Sequence, residues 1–245
     1  MSLSQRILAA LGILSIAATW LYLVLERPAD WESVGGSAPA FITLAGYVGG
    51  AALLLAATLP ALPVRTIAFI PIALVLNIVV GEIVGSIGIP LYVDAVGTIL
   101  VAALAGPLMG LVTGTLSSVV WGLINPAALP FAAASALTGG LGGWLISRGA
   151  LRRWWTLALS GAVVGVVCGM VAAPVAAFVY GGTAGVGTGA LVSAFRAMGN
   201  SLLASVTLQS FVSDPLDKIL VFALVRQAIA ALPQRTVAQL RGEGA

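Results

Sequence analysis

Glu82 is a carboxylate about one and a half turns from the end of an apolar run at 67–88. An acid that deep in a membrane span costs about 2.5–3.5 kcal/mol on insertion scales, so it needs a reason to be there. It either accepts a hydrogen bond from a ligand or carries a proton, or it forms a structural pair with Arg196 or Lys218. Asn77 lies one and a half turns deeper on the same run, placed for an interhelical hydrogen bond. Arg196 is the only arginine in a polar stretch at 190–212; its planar fork suits an anionic group, and the headgroup level of a bilayer suits it equally. Lys218, the only lysine, is able to pair with Asp94 or Asp214 or to touch a ligand. Tyr92 and Trp121 offer flat aromatic faces for stacking on a ring.

Other chemistry is excluded by residue type. The chain has no histidine, which removes imidazole metal sites and His-dependent triads, and its single cysteine, Cys168, leaves no intramolecular disulfide. No G-x-x-x-x-G-K-[ST] phosphate loop is present, and Gly185-x-Gly187-x-Gly189 follows no strand, so neither nucleotide fingerprint applies.

The elements that carry these residues are apolar. Of 245 residues, 60% are hydrophobic and 8% charged, with mean hydropathy +1.11. A soluble domain has about a quarter of its residues charged, so lipid must surround most of this chain. The basic residues sit between apolar runs, which reads as membrane orientation rather than nucleic-acid binding. Runs bounded by charge, Pro or Gly predict helices at about 5–25, 41–59, 67–88, 93–105, 108–124, 131–147 and 155–179, and a last one ending near Leu232. The first run, after Arg6, is longer than a signal-peptide core and reads as a retained helix. Asp214, Pro215 and Asp217 read as the N-cap, first-position proline and first-turn acid of the last helix.

Arg6, Arg65, Arg148, Arg152, Arg153, Arg235 and Arg241 all fall in alternate connections, which places both termini in the cytosol by the positive-inside rule. The stretch 190–212 must then start and end outside, as a re-entrant or interfacial helix; the rival arrangement makes it a true span and puts Arg235 and Arg241 outside. With cytosolic termini, Glu26, Asp30, Glu32, Asp94, Asp214 and Asp217 gather at the outer rim and Glu82 in the outer half of its helix, with only Glu243 cytosolic. Asn125, Tyr180, Asn200 and Gln209 fall on the same outer side, and a polar cavity open to the outside is the simplest way to satisfy them. Glycines recur every four residues at 106/110/114, 139/143 and 161/165/169; the spacing predicts close packing of helices within the chain, or a face for a membrane partner.

The segments Asn77-Ile-Val-Val-Gly-Glu82, Ile89-Pro-Leu-Tyr-Val-Asp-Ala-Val-Gly-Thr-Ile-Leu100 and Ala105-Gly-Pro-Leu-Met-Gly-Leu-Val-Thr-Gly114, with Ser213-Asp-Pro-Leu-Asp-Lys-Ile-Leu-Val-Phe222, resemble the S components of energy-coupling factor (ECF) transporters, the substrate-binding membrane subunits of ABC-type vitamin importers. The resemblance covers about 67–235. It implies a six-helix core at 65–245, with 1–64 a two-helix N-terminal membrane extension. It implies a site for a small vitamin-like solute, open to the outside, which by position points at Glu82, Tyr92, Asp94, Trp121, Asn125, Arg196 and Asn200. It further implies no cofactor and no catalysis in this chain, ATP being hydrolysed by two ATPase subunits coupled through a separate transmembrane subunit. The family's small-x-x-x-small docking pair is not matched, since Ala68 is followed four residues on by Ile72. Two other functions compete: a stand-alone secondary transporter with Glu82 as proton carrier, and a membrane sensor or assembly module.

Overall fold

The computed structural model describes residues 1–28, 31, 37–182 and 185–241; Asp30, Glu32 and Glu243 lie outside the described residues. Ten α-helices are present and no strand among the described residues: α1 Leu3–Glu26, α2 Ala38–Thr58, α3 Val64–Ile87, α4 Val96–Ala105, α5 Pro107–Gly122, α6 Ala132–Ser147, α7 Trp154–Val179, α8 Val186–Ala197, α9 Leu202–Ala231 and α10 Gln234–Arg241. Five are long and apolar enough to cross a membrane: α1, α2, α3, α6 with its preceding 3-10 turn, and α7. This is a multi-pass, all-helical membrane protein.

The helices are inverted relative to a soluble bundle. On α3 the buried residues are Thr66, Ile70, Ala73, Asn77 and Gly81, while Ile72, Val75, Val79 and Ile83 are exposed. On α9 Ser205, Gln209, Ser213 and Asp217 face inward, while Val212, Leu216, Leu220 and Leu224 face out. Both rows advance in steps of three or four, so each helix has a polar or small face toward its neighbours and an apolar face toward lipid.

Glycine faces set the helix spacing. A Cβ on Gly110 would stand 2.2 Å from the Gly139 carbonyl oxygen, and one on Gly139 would stand 2.0 Å from that of Gly110, so α5 and α6 touch backbone to backbone. Gly165 of α7 meets α9 in the same way, its Cβ position lying 2.4 Å from the Asp214 carbonyl oxygen. The four-residue glycine series from Gly110 onward is therefore filled from within the chain, while Gly106 has nothing packed within 4 Å of its Cβ position. α1 and α2 pack on each other and share one apolar cluster with α5 to α7, in which Leu23, Tyr47 and Leu54 meet Val112, Ala132 and Val175.

Two expectations are corrected. The stretch 190–212 is not one helix: it ends α8, breaks at 198–201 and enters α9. Asp214 is not an N-cap, because α9 begins at Leu202 on the cap Ser201, whose hydroxyl accepts from the Ala204 N–H, and Pro215 lies inside it. Pro215 removes one backbone donor, and Gly165 brings α7 close at that turn. At about 1.5 Å per residue, α9 is about 45 Å long. The fourth helix also starts three residues later than 93, and eight of its ten residues are buried.

The two ends of the bundle differ in charge. Glu26, Glu82 and Asp94 lie toward the end holding the α3–α4 connection and α8, while Asp214 and Asp217 lie near the middle of α9. Arg6, Arg65, Arg148, Arg152, Arg153, Arg226 and Arg235 lie at the other end, where α10 packs on α3 and α4 and Thr66 donates to the Leu240 carbonyl.

Candidate functional site

A short helix that starts inside the bundle has donors to satisfy. The first-turn N–H groups of α4 lack intrahelical partners, and its cap residue, Ala95, has no side-chain acceptor. Asn77 of α3 supplies one: its Oδ1 accepts from the Gly97 N–H at 2.7 Å and the Thr98 N–H at 3.3 Å. Its Nδ2 donates to the Thr98 and Ser117 hydroxyls at 2.8 and 3.1 Å. Asn77 thus joins α3, α4 and α5, and its role is structural.

The loop 88–95 before α4 is held from α9. Asp217 Oδ1 accepts from the Tyr92 and Val93 N–H groups at 2.9 and 2.7 Å, and its Oδ2 accepts from Lys218 Nζ at 2.6 Å. Lys218 also reaches Asp94 Oδ1 at 3.5 Å. These are the ion pairs among the described residues. Asp214 sits one turn before Lys218 and accepts from the Ser213 hydroxyl. Between these anchors Val93 has φ 51°, a left-handed conformation that β-branched residues avoid and that costs about 1–3 kcal/mol. The structure therefore holds this loop in a shape it would not adopt alone.

The cluster is graded in exposure. The Asp217 side chain is 1% exposed, Lys218 11% and Asp94 29%, so Asp94 is the group that meets the surroundings. The Tyr92 hydroxyl shares a 2.9 Å hydrogen bond with Thr188 of α8. Burial holds the Tyr92 phenol above its ordinary range, so it is a neutral hydrogen-bonding group.

Glu82 and Trp121 adjoin this cluster. Trp121 Nε1 donates to Glu82 Oε1 at 2.6 Å. Gly81 makes room between the two groups: a Cβ there would stand 2.6 Å from the Trp121 ring and 3.1 Å from Asp94 Cβ. Glu82 itself is exposed, and it pairs with Trp121 rather than with the expected Arg196 or Lys218. Three of the seven candidate residues, Glu82, Asp94 and Trp121, thus adjoin one another around Gly81, and Tyr92 lies on the same loop as Asp94 with its hydroxyl turned to Thr188.

The other three stand apart in local roles. Asn125 caps the 3-10 turn Pro126–Phe131, its Oδ1 accepting from the Ala127 N–H at 3.2 Å. Asn200 Nδ2 donates to the Phe195 carbonyl at 3.0 Å and closes the turn after α8. Arg196 is exposed in the last turn of α8, about 12 Å along the axis from Thr188.

Sequence reasoning underweighted Asp217, which the N-cap reading had made a first-turn acid. The available signal was the spacing of Asp214, Asp217 and Lys218, which share one helix face once α9 runs through Pro215. Among the described residues no group of three acids or cysteines is arranged to hold a metal. The site offers instead a part-exposed carboxylate, an aromatic plane and a phenol on a strained loop, which is equipment for holding a small polar molecule. No family model, curated protein or solved structure matches the chain.

Proposed function

We propose that this chain is the substrate-binding membrane subunit of an ECF-type importer and holds a small vitamin-like solute at the acidic end of the bundle. The observation that carries the reading is the cluster of Asp94, Asp217 and Lys218. It brings together the two segments of the resemblance, 89–100 and 213–222, and leaves one carboxylate part-exposed. The solute stacks on Trp121 and hydrogen-bonds to Asp94 and Tyr92, while Asp217 and Lys218 position the loop. Both termini are cytosolic, so this end faces outside and the arginine-rich end faces the cytosol. The chain has no catalytic role; a transmembrane coupling subunit and two ATPase subunits supply the energy.

Native mass spectrometry of the protein purified from its host in mild detergent tests this. The expected result is co-purification of ATPase and coupling subunits, or a retained small-molecule adduct that Asp94→Asn weakens by about tenfold, since a hydrogen bond to a charged group contributes about 1.5–3 kcal/mol. A protein that stays alone and empty, under conditions that keep other membrane complexes intact, refutes it.

The exposed Glu82 beside Asp94 favours one second reading, a proton-coupled transporter. That reading expects pH-dependent uptake into proteoliposomes without ATP, abolished by Glu82→Gln.

A further inference from the structure

At the arginine-rich end a cleft of about 320 Å³ opens between the end of α6, the turn before α7, and α9. Ser147, Gly149, Arg152 and Arg226 line it, over an apolar floor that includes Ala103 and Ile229. The Arg226 guanidinium lies over the Trp154 ring at 4.4 Å. Its Nη1 is buried and has no hydrogen-bond acceptor among the described residues. A buried donor of a charged group without a partner is costly, and the ion pairs among the described residues, Lys218 with Asp94 and with Asp217, do not include Arg226. The protein provides two guanidinium groups here and no described counter-charge.

We propose that this cleft binds the phosphate group of an anionic molecule, either a membrane phospholipid or a free organic phosphate. A guanidinium fork matches phosphate oxygens, and Arg226 has a donor to spare in that position. Depth in the bilayer fits the lipid source. Trp144, Trp154 and Trp155 are 44%, 54% and 61% exposed at this end, and Arg148 lies over Trp144 at 3.8 Å. Exposed tryptophans paired with arginines mark the headgroup level, which places the cleft beside lipid phosphates. A second cleft of about 570 Å³ shares Ala103, Ile146 and Ser147 with the first and is lined largely by apolar residues, giving room for an acyl chain. This site stands apart from the solute site and does not depend on the importer reading.

The test uses the 245-residue protein in mild detergent. Native mass spectra are titrated with phosphatidylglycerol, with diacylglycerol of the same acyl chains, and with phosphatidylglycerol in competition with glycerol 3-phosphate. Phosphatidylglycerol should bind at least about tenfold more tightly than diacylglycerol, and Arg226→Gln should remove about tenfold of that affinity. Arg152→Gln should weaken binding too, while Arg235→Gln, an exposed arginine outside the cleft, should not. Competition by glycerol 3-phosphate assigns the site to free phosphates as well; its absence assigns it to lipid alone. Diacylglycerol binding as tightly as phosphatidylglycerol overturns the proposal, and so does unchanged affinity in a folded Arg226→Gln protein. If that variant does not fold, Arg152→Gln and the diacylglycerol comparison decide.

Discussion

Replacing Asp217 by Asn removes the buried charge that ties α9 to the loop before α4. Asp217 is 1% exposed and accepts three hydrogen bonds, from the Tyr92 N–H, the Val93 N–H and Lys218 Nζ. Asn keeps an oxygen for the two backbone donors but turns an NH2 toward the ammonium, which is a donor facing a donor. Lys218 is then left with Asp94, at 3.5 Å, as its ion-pair partner. Breaking one side of a buried pair costs about 3–5 kcal/mol because the remaining charge is uncompensated. Lys218→Met alone should cost a similar amount for the same reason. The double variant removes both charges, so its cost should fall short of the sum of the two by about 2–3 kcal/mol. Equilibrium unfolding in mixed micelles, with sodium dodecyl sulfate as denaturant, measures all four proteins of the cycle. Additivity within about 0.5 kcal/mol, or a loss below about 1 kcal/mol for Asp217→Asn, would show that the pair does not hold the loop and refute the reasoning.

The same assay checks three further outcomes. Asn77→Leu orphans the Gly97 and Thr98 N–H groups and should cost about 1–3 kcal/mol for each donor left bare. Gly110→Ala drives a methyl to within 2.2 Å of the Gly139 carbonyl oxygen and should cost about 1–3 kcal/mol by forcing α5 and α6 apart; Gly181→Ala, with open space around it but φ 61°, should lose only the smaller backbone term. Trp121→Phe removes the indole donor to Glu82, and because Glu82 is exposed the stability loss should stay near 1 kcal/mol or below while solute binding falls.

The sequence by itself determined the solvent, the helical class and most of the helix positions. With 8% of residues charged, no soluble arrangement was open, and in lipid the backbone must satisfy itself within helices. The glycine spacing on the fifth, sixth and seventh helices already announced close contacts, because a small residue every fourth position leaves a groove whichever helix fills it. Glu82, Tyr92, Asp94 and Trp121 were legible as polar or aromatic groups at the ends of apolar runs.

Tertiary structure decided what each group faces. The alternation of the arginine-bearing connections made 190–212 look re-entrant or interfacial, yet from Ser205 to Asp217 every fourth residue points inward, and a polar helix face is hidden when neighbouring helices rather than water satisfy it. Asp-Pro at 214–215 looks like a helix start because proline lacks the donor that an N-terminus does not need, but close packing on Gly165 lets one helix run through it. The same continuity turns Asp217 from a first-turn acid into the anchor of a strained loop. Asn77 becomes the cap of a helix twenty residues away, and Arg226 becomes a half-buried charge with one buried donor unmatched. Residue type and spacing fix the chemistry a side chain can offer; which partner takes it depends on helix contacts far apart in sequence, and those exist only in the packed bundle.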